Sequence, residues 1–379
     1  MKAKGFIEVA AAVLCLLVIA LVSSTAAQDS PQWRGPNRDG SVVEFAPPKA
    51  WPEQLKNRWR LTIGEGHSSP VVVGTRVFVH SRVGEQEVVA GYELATGKEA
   101  WKDSYPVAYQ MNPAARGHGK GPKSTPVASD GRLYTLGISG MLSCYDLSSG
   151  RVRWRKDFAG QFKQISPAFG TAMSPIVDRG LLIAHFGGEG QGALMALDAA
   201  TGAVKWSWTG EGPAYASPIA IELGGVRQIV TQSQVSIIGV AEADGQLLWK
   251  IPFKTDYEQN SVTPIGVRDT IILSGLNQGV IALRPVKRGA VWQADRVWEN
   301  SEVSLYMSSP VLSGNTLFGF SHRNKGQYFS LDVSTGKTIW IGDGRQGENA
   351  AILLAGNLLF TLNNEGQLTI FPATPKLTA

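Results

Sequence analysis

Short runs of alternating apolar residues, separated by turn residues, fill most of the chain. Pro70–Val73 and Val77–His80 are two such runs, separated by Gly-Thr-Arg and rich in β-branched residues. Apolar runs of four to six residues bounded by Gly, Asp and Asn are typical of β-strands joined by tight turns. Beyond the first thirty residues, no segment of the sequence keeps the period of an amphipathic helix. The pattern therefore predicts an all-β protein.

A nine-residue motif, close to Asp-x-x-Thr-Gly-x-x-x-Trp, recurs along the chain. It is found at Asp146–Trp154, Asp198–Trp206 and Asp332–Trp340, with Glu in place of Asp at Glu93–Trp101 and Ala at Ala241–Trp249. We expect the glycine to take a positive φ in a hairpin, the Asp to accept hydrogen bonds from turn amides, and the Trp to wedge between neighbouring sheets. The residues assigned these structural roles are Asp146, Asp198, Asp332, Gly97, Gly150, Gly202, Gly245, Gly336, Trp101, Trp154, Trp206, Trp249 and Trp340.

Each unit opens with a small residue, a proline and an aliphatic residue. Six such starts, at prolines 70, 126, 175, 218, 264 and 310, are spaced by 43–56 residues, and Ala350–Ile352 is a seventh start without proline. Proline is tolerated at the first residue of a strand, where its missing N–H does least harm. Tandem units of four short strands are typical of a β-propeller. We predict seven four-stranded antiparallel blades, with eight as the alternative.

The seventh unit ends at Pro372 without a tryptophan strand, and a similar strand precedes the first unit. Asn57–Leu61, which contains Trp59, resembles the other tryptophan strands. We therefore expect this N-terminal strand to complete the last blade and close the ring, leaving no open edge. The predicted organisation is a leader at 1–27, an N-terminal extension at 28–56, one propeller domain at 57–372 and a tail at 373–379.

The repeat resembles the pyrroloquinoline-quinone (PQQ) repeat of quinoprotein dehydrogenases and of the outer-membrane assembly lipoprotein BamB. The segment Trp33–Gly40 resembles the opening of a group of exported bacterial PQQ-like propellers. The resemblance covers nearly all of residues 31–371 and implies the propeller fold. For a dehydrogenase it would imply PQQ, a calcium ion held by carboxylate and amide oxygens, an Asp base and often a vicinal disulfide. Since this sequence has no adjacent cysteines, we expect no cofactor and keep PQQ with calcium as the alternative.

The first residues are typical of a secretory signal peptide. A basic start at Met1–Lys4 precedes a 14-residue apolar core at Val9–Val22 and a stretch of small residues before Gln28. We expect an exported protein, periplasmic or extracellular, with no membrane span in the mature chain; an uncleaved N-terminal anchor is the alternative. Cys144 is the one cysteine beyond this leader, so an internal disulfide is excluded. Although the net charge is +5, no run of five basic residues occurs, so nucleic-acid binding is not predicted.

Candidate ligand-binding residues precede the starts of the units. The residues three positions before each start proline are expected to form a ring on the funnel face, over the central channel. The ring is chemically mixed, which suits a polar ligand or a peptide; alternatively, its side chains fill the channel and bond to one another. Long loops on rigid scaffolds often carry function, so residues of the loop at 105–123 join the candidates. The predicted ligand-binding residues are His67, Lys123, Tyr215, Asn260, Tyr306, Glu348, Arg116 and His118.

The residues support a binding protein better than an enzyme. We predict a monomeric, non-enzymatic scaffold that binds a protein or peptide partner, or another polar ligand, in the cell envelope. A PQQ-dependent dehydrogenase is one alternative. A glycan-binding propeller that uses Tyr109, Tyr215 and Tyr306 as sugar platforms is another. The five histidines are scattered and none has zinc-site spacing, so neither a metal site nor a catalytic residue is predicted.

Overall fold

The chain forms a ring of β-sheets in a computed structural model that describes residues 28–43 and 45–376. The predicted leader at 1–27 and the last three residues of the predicted tail lie outside the described residues. Within the described ranges the strands form seven four-stranded sheets, which confirms the seven-bladed propeller. Helix is confined there to four short 3₁₀ segments, at Pro113–His118, Ala159–Gln161, Asp256–Glu258 and Arg323–Lys325.

Each of the first six blades is an antiparallel meander whose first strand faces the channel. The first strands of neighbouring blades contact each other around the axis, and the fourth strands are outermost. The strands of blades one to three are β2 (Val71–Val73), β3 (Arg76–Val83), β4 (Gln86–Glu93), β5 (Glu99–Pro106), β6 (Val127–Ser129), β7 (Arg132–Leu136), β8 (Met141–Asp146), β9 (Val152–Asp157), β10 (Ile176–Asp178), β11 (Leu181–Gly188), β12 (Gln191–Asp198) and β13 (Val204–Trp208).

Blades four to six repeat this order, and blade seven differs. The strands of blades four to six are β14 (Ile219–Leu223), β15 (Val226–Gln232), β16 (Ser236–Ala241), β17 (Leu247–Pro252), β18 (Ile265–Val267), β19 (Thr270–Ser274), β20 (Val280–Arg288), β21 (Val291–Asn300), β22 (Val311–Ser313), β23 (Thr316–Ser321), β24 (Gln327–Asp332) and β25 (Thr338–Ile341). Blade seven consists of β1 (Ser41–Val42), β26 (Ala350–Ala355), β27 (Leu358–Asn363) and β28 (Leu368–Pro372).

The repeat motif forms the outer hairpin of a blade. The glycines of the five motifs have φ values of 70–73°, a conformation that costs a residue with a Cβ about 1–2 kcal/mol. Asp198 accepts from the amide of Thr201 at 2.9 Å, and Asp332 accepts from the amide of Thr335 at 2.9 Å. The predicted turn chemistry is therefore present in the structure.

At five blade junctions a tryptophan packs on the hairpin glycine of the blade that follows it. The Trp101 indole packs on Gly150, where a Cβ would lie 2.4 Å from the ring, and its Nε1 donates to Leu147 O at 3.0 Å. Glycine is thus required at the turn for space as well as for φ. The same contact recurs at four other blade junctions, between Trp59 and Gly97, Trp154 and Gly202, Trp206 and Gly245, and Trp298 and Gly336.

Two tryptophans of the motif pack differently, because the blade that follows each lacks this turn. Trp249 donates to Gln228 Oε1 of its own blade at 2.7 Å and joins an apolar cluster with Ile271 of blade five. Trp340 packs on the apolar cluster of blades six and seven. Both still fill the space between neighbouring sheets, as the sequence predicts.

An N-terminal strand completes the last blade, as the sequence predicts, but it is not the predicted strand. Residues 57–61 are not a strand in the structure, and the N-terminal strand of blade seven is β1, which runs parallel to β26 with Ser41 opposite Leu354. Its position is at the inner edge of the blade, not the outer one. Trp59 does occupy the position of a last-strand tryptophan against Gly97. The indole alone makes that contact, and the backbone of residues 57–61 lies outside the β-ladder.

This correction has two consequences for the predicted organisation. The stretch at 28–56 is not simply an extension outside the propeller, because Ser41 and Val42 belong to its seventh sheet. The outermost strand of that sheet, β28, has a strand neighbour on one side only among the described residues. The outermost strands of the other six blades are edges in the same way, so the expectation that ring closure leaves no open edge strand is wrong.

Candidate functional site

The central channel is crossed by residues 30–42, which we call the channel plug. Ser30 pairs with Val72 of blade one, and Pro31 accepts a hydrogen bond from the amide of Ala128 in blade two at 2.7 Å. At its far end the plug becomes β1 of blade seven. The N-terminal segment therefore occupies the channel, in place of the ring side chains that the alternative prediction put there.

Two arginines, the half-buried Arg34 and the buried Arg38, hold the plug against the blades. Arg34 donates to Ser309 O at 3.1 Å and also to Pro310 O. Arg38 donates to Ser174 O at 2.9 Å and Pro175 O at 3.0 Å. Burial lowers the pKa of Arg34 to about 10 and that of Arg38 to about 9. These carbonyls belong to the small-Pro starts, so one repeated feature supplies the acceptors.

The residue before each start proline forms a second layer of contacts around the channel. Ser69 N donates to Thr125 Oγ1 at 3.0 Å, Thr125 N to Ser174 Oγ at 3.0 Å, and Ser174 N to Ser217 Oγ at 2.9 Å. Each hydroxyl therefore accepts from the equivalent backbone amide of the preceding blade. The sequence pattern described the residue before each start proline only as small. The fact that it is Ser or Thr at all six starts could have indicated that its hydroxyl forms a hydrogen bond.

A cavity of about 340 Å³ opens above the plug on the funnel face. The Trp33 indole lies at its floor and donates to Thr263 Oγ1 at 2.9 Å. Residues from blades one to six converge on it. The lining consists of Trp33, His67, His118, Lys123, Phe169, Ala172, Ser174, Tyr215, Ser217, Gln259, Ser261, Thr263 and Met307.

The structure brings half of the predicted ligand-binding residues together in this cavity. His67, His118, Lys123 and Tyr215 all line it. The other residues three positions before a start proline, Ala172, Ser261 and Met307, line it as well.

Four of the predicted residues lie elsewhere. Asn260 is fully buried, and its Nδ2 donates to Ser233 O at 2.7 Å and Phe253 O at 3.0 Å, so it positions backbone and is not available to a ligand. Arg116 is exposed on the 3₁₀ segment and does not line the cavity.

Tyr306 and Glu348 belong to a neighbouring, more charged cavity of about 680 Å³. His322, Lys325 and Arg345 also line that space. The Tyr306 hydroxyl donates to Gln259 Oε1, and the amide of Glu348 donates to Asn364 Oδ1 at 2.8 Å, which hold the two residues beside this second cavity.

One wall of the funnel cavity is basic. His67 Nε2 lies 3.0 Å from His118 O, and Lys123 Nζ donates to His118 O at 3.2 Å and Gly119 O at 3.5 Å. Burial lowers the pKa of His118, and the charges of Lys123 and His67 lower it further. Burial also lowers the pKa of Lys123, an effect that Glu65 opposes.

The adjoining wall is aromatic. The Phe169 ring lies 5.2 Å from the His118 ring, edge to face, and 6.0 Å from the Tyr215 ring. The Tyr215 hydroxyl accepts from Phe169 N at 3.3 Å, and burial raises the pKa of Tyr215 to about 12. Phe169 was missed in the sequence because it belongs to no repeat position. Tyr109, the other predicted sugar platform of this region, is buried in the core.

Other histidines have structural partners. His185 is buried in the third blade, its Nε2 lies 2.8 Å from Glu211 O, and burial lowers its pKa to about 4. His80 is buried beside Glu87, with 3.3 Å between Nε2 and Oε2, and Tyr105 donates to the same carboxylate oxygen at 2.7 Å.

The described residues do not fit a PQQ–calcium pair. Calcium in such a site would need several oxygen ligands, and the described part of the chain has no group of three or more His, Cys, Asp or Glu residues able to hold a metal ion. Cys144, a single buried thiol, cannot form a vicinal disulfide. The channel axis under the funnel is filled by the Trp33 indole and the plug. We therefore derive no step through a quinone.

Comparison with known proteins identifies the family. Residues 85–342 match the family model described as "Outer membrane protein assembly factor BamB", a PQQ-repeat family. The chain belongs to this family. The resemblance stated from the repeat motif is thereby confirmed.

Two curated relatives carry that same description. The protein from Yersinia pestis is 24% identical over 280 residues, which cover 68% of this chain and 66% of the relative. The protein from Burkholderia pseudomallei is 23% identical over 404 residues, covering 96% of this chain and 97% of the relative. This chain therefore spans just under two-thirds of the Yersinia protein and nearly all of the Burkholderia protein.

Solved structures share the fold. BamB from Moraxella catarrhalis superposes with a TM-score of 0.56 at 16% identity, over 80% of each chain. A quinohemoprotein alcohol dehydrogenase from Pseudomonas putida gives a TM-score of 0.58 at 13% identity, over 84% of this chain and 66% of that one. At such identities these likenesses show the propeller fold alone. Within the described residues, no helix has the length and apolar character needed to cross a membrane.

Proposed function

We propose that this protein is an exported, non-enzymatic propeller that binds a polypeptide or another polar ligand of the cell envelope in its funnel. The observation that carries the proposal is the cavity above the plug, where side chains from six blades converge without filling the space. Rigid strands hold its lining, while the plug closes its base. Pockets of about 300 Å³ and more are of ligand size.

Family membership supports the binding role. The family and both curated relatives are described as outer membrane protein assembly factors, and assembly requires contact with other proteins. By that analogy the partner would be a protein of the cell envelope, and the chain would act there after export. The likeness to an alcohol dehydrogenase concerns the fold, and fold does not imply function.

Site-specific photo-crosslinking tests where a partner binds. A photoreactive residue replaces Met307, which lines the cavity, in one variant, and Val291, an exposed residue at the outer hairpin of blade five, in the other. We expect defined adducts with cell-envelope proteins from position 307 and none from position 291. Equal adduct patterns at both positions would contradict a funnel site.

Cofactor addition tests the non-enzymatic part of the proposal. Purified protein is mixed with PQQ and calcium, and quinone absorbance and dye reduction with alcohols are followed. We expect neither bound-quinone absorbance nor turnover, because the donor set does not suit the pair. Alcohol-dependent dye reduction would establish the dehydrogenase alternative instead.

A further inference from the structure

We propose that the funnel cavity binds an aromatic carboxylate, with the carboxylate beside Lys123 and the aromatic ring against Phe169 and Tyr215. The inference rests on the proposed function, since it names the ligand chemistry of the same cavity. Such a group occurs both in free aromatic acids and at the end of a polypeptide whose last residue is aromatic. The geometry that carries it is a basic wall that adjoins an aromatic wall.

The first argument is the charge of the lining. His67, His118 and Lys123 are all part of it, and no Asp or Glu is among the described residues that line the cavity. The Lys123 ammonium donates to two neutral carbonyls, of His118 and Gly119, and an ammonium has three donors. One N–H of Lys123 therefore remains for an anion, and the His118 imidazole beside it can donate as well; charge-assisted bonds of this kind are the strong ones.

The second argument is the position of the rings. The Phe169 ring lies 5.2 Å from the His118 imidazole and 6.0 Å from the Tyr215 ring, so basic and apolar groups are separated by about one ring width. A ligand ring within this space would make the edge-to-face contacts that aromatic groups prefer. With about 340 Å³ available, the cavity holds one ring and its short acid chain.

The third argument is proton linkage. His118 faces Lys123, His67 and Phe169, and Glu65 is the acidic group beside this cluster. Burial and the two neighbouring basic groups lower the pKa of His118. A bound carboxylate stabilises the protonated imidazole, so binding takes up a proton. Because the free pKa of His118 lies below 6.5, we expect affinity for the acid to rise as the pH falls from about 7.5 to about 5.5, and His118→Gln to flatten that dependence.

Calorimetric titration of the full mature chain tests the proposal with defined probes. The probe is 3-phenylpropionate, and its neutral match is 3-phenylpropanamide. We expect the acid to bind and the amide to bind about tenfold more weakly or not at all, because only the acid forms a charge-assisted bond. Inorganic phosphate serves as the probe for an anion without a ring, and we expect it to bind more weakly than the acid.

Variants locate the site. Lys123→Met keeps the aliphatic stem and removes the charge, so it should weaken binding of the acid about tenfold, whereas Lys123→Arg should retain most of it. Lys325→Met, in the neighbouring cavity, should leave the affinity unchanged. Circular dichroism of each variant checks that the propeller is folded. Equal affinity for acid and amide, or an unchanged affinity in Lys123→Met, would overturn the proposal.

Two further arms distinguish the source of the carboxylate. Gly-Gly-Gly-Phe is titrated with a free carboxyl terminus and with a terminal amide. If the peptide with a free carboxyl terminus binds more tightly than 3-phenylpropionate, the site is assigned to a chain terminus. If that peptide binds more weakly, the site is assigned to a free aromatic acid. Failure of all acid probes while crosslinks still form at position 307 would reject this ligand class and leave the proposed function intact.

Discussion

Single residues at the blade junctions serve two requirements at once. Gly150 has a φ of 71°, and its missing Cβ leaves room for the Trp101 ring of the preceding blade. The sequence alone predicts the first requirement from the hairpin motif. It does not predict the second, because the two residues come from different blades and their contact depends on how neighbouring sheets stack.

Gly150→Ala separates these two requirements when it is compared with Gly131→Ala. Both glycines have φ near 70°, but a Cβ on Gly131 would meet nothing within 4 Å, whereas one on Gly150 would lie 2.4 Å from the Trp101 ring. We expect Gly131→Ala to lower the free energy of unfolding by about 1–2 kcal/mol and Gly150→Ala by about 1–3 kcal/mol more. Urea denaturation measures both; equal losses would mean that the indole moves aside freely.

The turn aspartates make stability depend on pH. Hydrogen bonds from Ser148, Thr201 and Thr335 hold the pKa values of Asp146, Asp198 and Asp332 below their ordinary value of 3.8. A depressed folded pKa gives stability that is complete above the unfolded pKa and is lost as the pH falls from that value through the folded pKa.

We therefore expect the melting temperature to fall as the pH is lowered from about 5 to about 2. The triple variant Asp146→Asn, Asp198→Asn, Asp332→Asn should show a shallower decline. Asp244→Asn, in the fourth-blade turn but outside the capping position, is the control and should keep the wild-type slope. Thermal melts followed by circular dichroism across this range provide the measurement; parallel slopes for triple variant and wild type would contradict the assignment.

At the scale of strands and segments, Trp59 shows how a side chain can hold a position that its backbone does not. Its indole packs on Gly97 and donates to Leu94 O at 2.9 Å, although residues 57–61 form no strand. We expect Trp59→Ala to lower the free energy of unfolding by about 2 kcal/mol, less than the roughly 3–5 kcal/mol of a buried tryptophan such as Trp101.

Trp51→Ala is the matched control for that measurement, because Trp51 is 45% exposed and its ring lies 5.9 Å from the Phe360 ring of β27 in blade seven. We expect Trp51→Ala to lower the free energy of unfolding by less than Trp59→Ala does in the same urea titration. A larger loss at Trp51 would show that residues 45–56 fasten blade seven more than the Trp59 contact does.

The layer of hydroxyls around the channel gives a second prediction for the strands. Ser174 Oγ accepts from Thr125 N at 3.0 Å in the buried centre. Ser174→Ala leaves that amide without its acceptor, so we expect a loss of about 1–3 kcal/mol. Ser174→Thr keeps a hydroxyl and matches the residue found in blades two and five, so it should retain most of the wild-type stability. Equal stability of Ser174→Ala and Ser174→Thr would show that the Thr125 amide finds another acceptor.

For the whole molecule, the channel plug is the feature that ties the blades together. It bonds to blades one and two by its backbone, to blades three and six by Arg38 and Arg34, and to blade seven by β1. Removing residues 28–43 should lower and broaden the thermal transition, because the ring loses its closing strand and several buried acceptors lose their donors.

Removal of residues 373–376 is the comparison for that truncation. This stretch follows β28 at the outer edge of blade seven and should cost much less stability. Differential scanning calorimetry reports both the midpoint and the cooperativity. A sharp transition at the wild-type temperature after loss of residues 28–43 would contradict the role given to the plug.

The parts that the sequence predicts are those that repeat locally. Blade count, hairpin chemistry and the convergence of His67, Lys123 and Tyr215 on one cavity follow from spacing, because each unit repeats the same local pattern. His118 was chosen from the length of its loop, and its place in the same cavity is a finding of the structure. The plug and β1 do not, since β1 has two residues and its partner Leu354 is more than three hundred residues away. Asn260 was misassigned for a related reason: the backbone carbonyls that surround it come from residues near 233 and 253, which spacing alone does not bring to it.

The parallel pair of β1 and β26 also has a consequence for how the chain reaches its native state. Strand β1 is synthesised first but can pair only after β26, one of the last strands, has been made. Joining segments so distant in the chain costs conformational entropy, which slows folding. The six intervening blades can pack on one another sequentially, each on its predecessor. Docking of the amino-terminal arm would then be the final step, and refolding experiments should find a slow phase that disappears when that arm is absent.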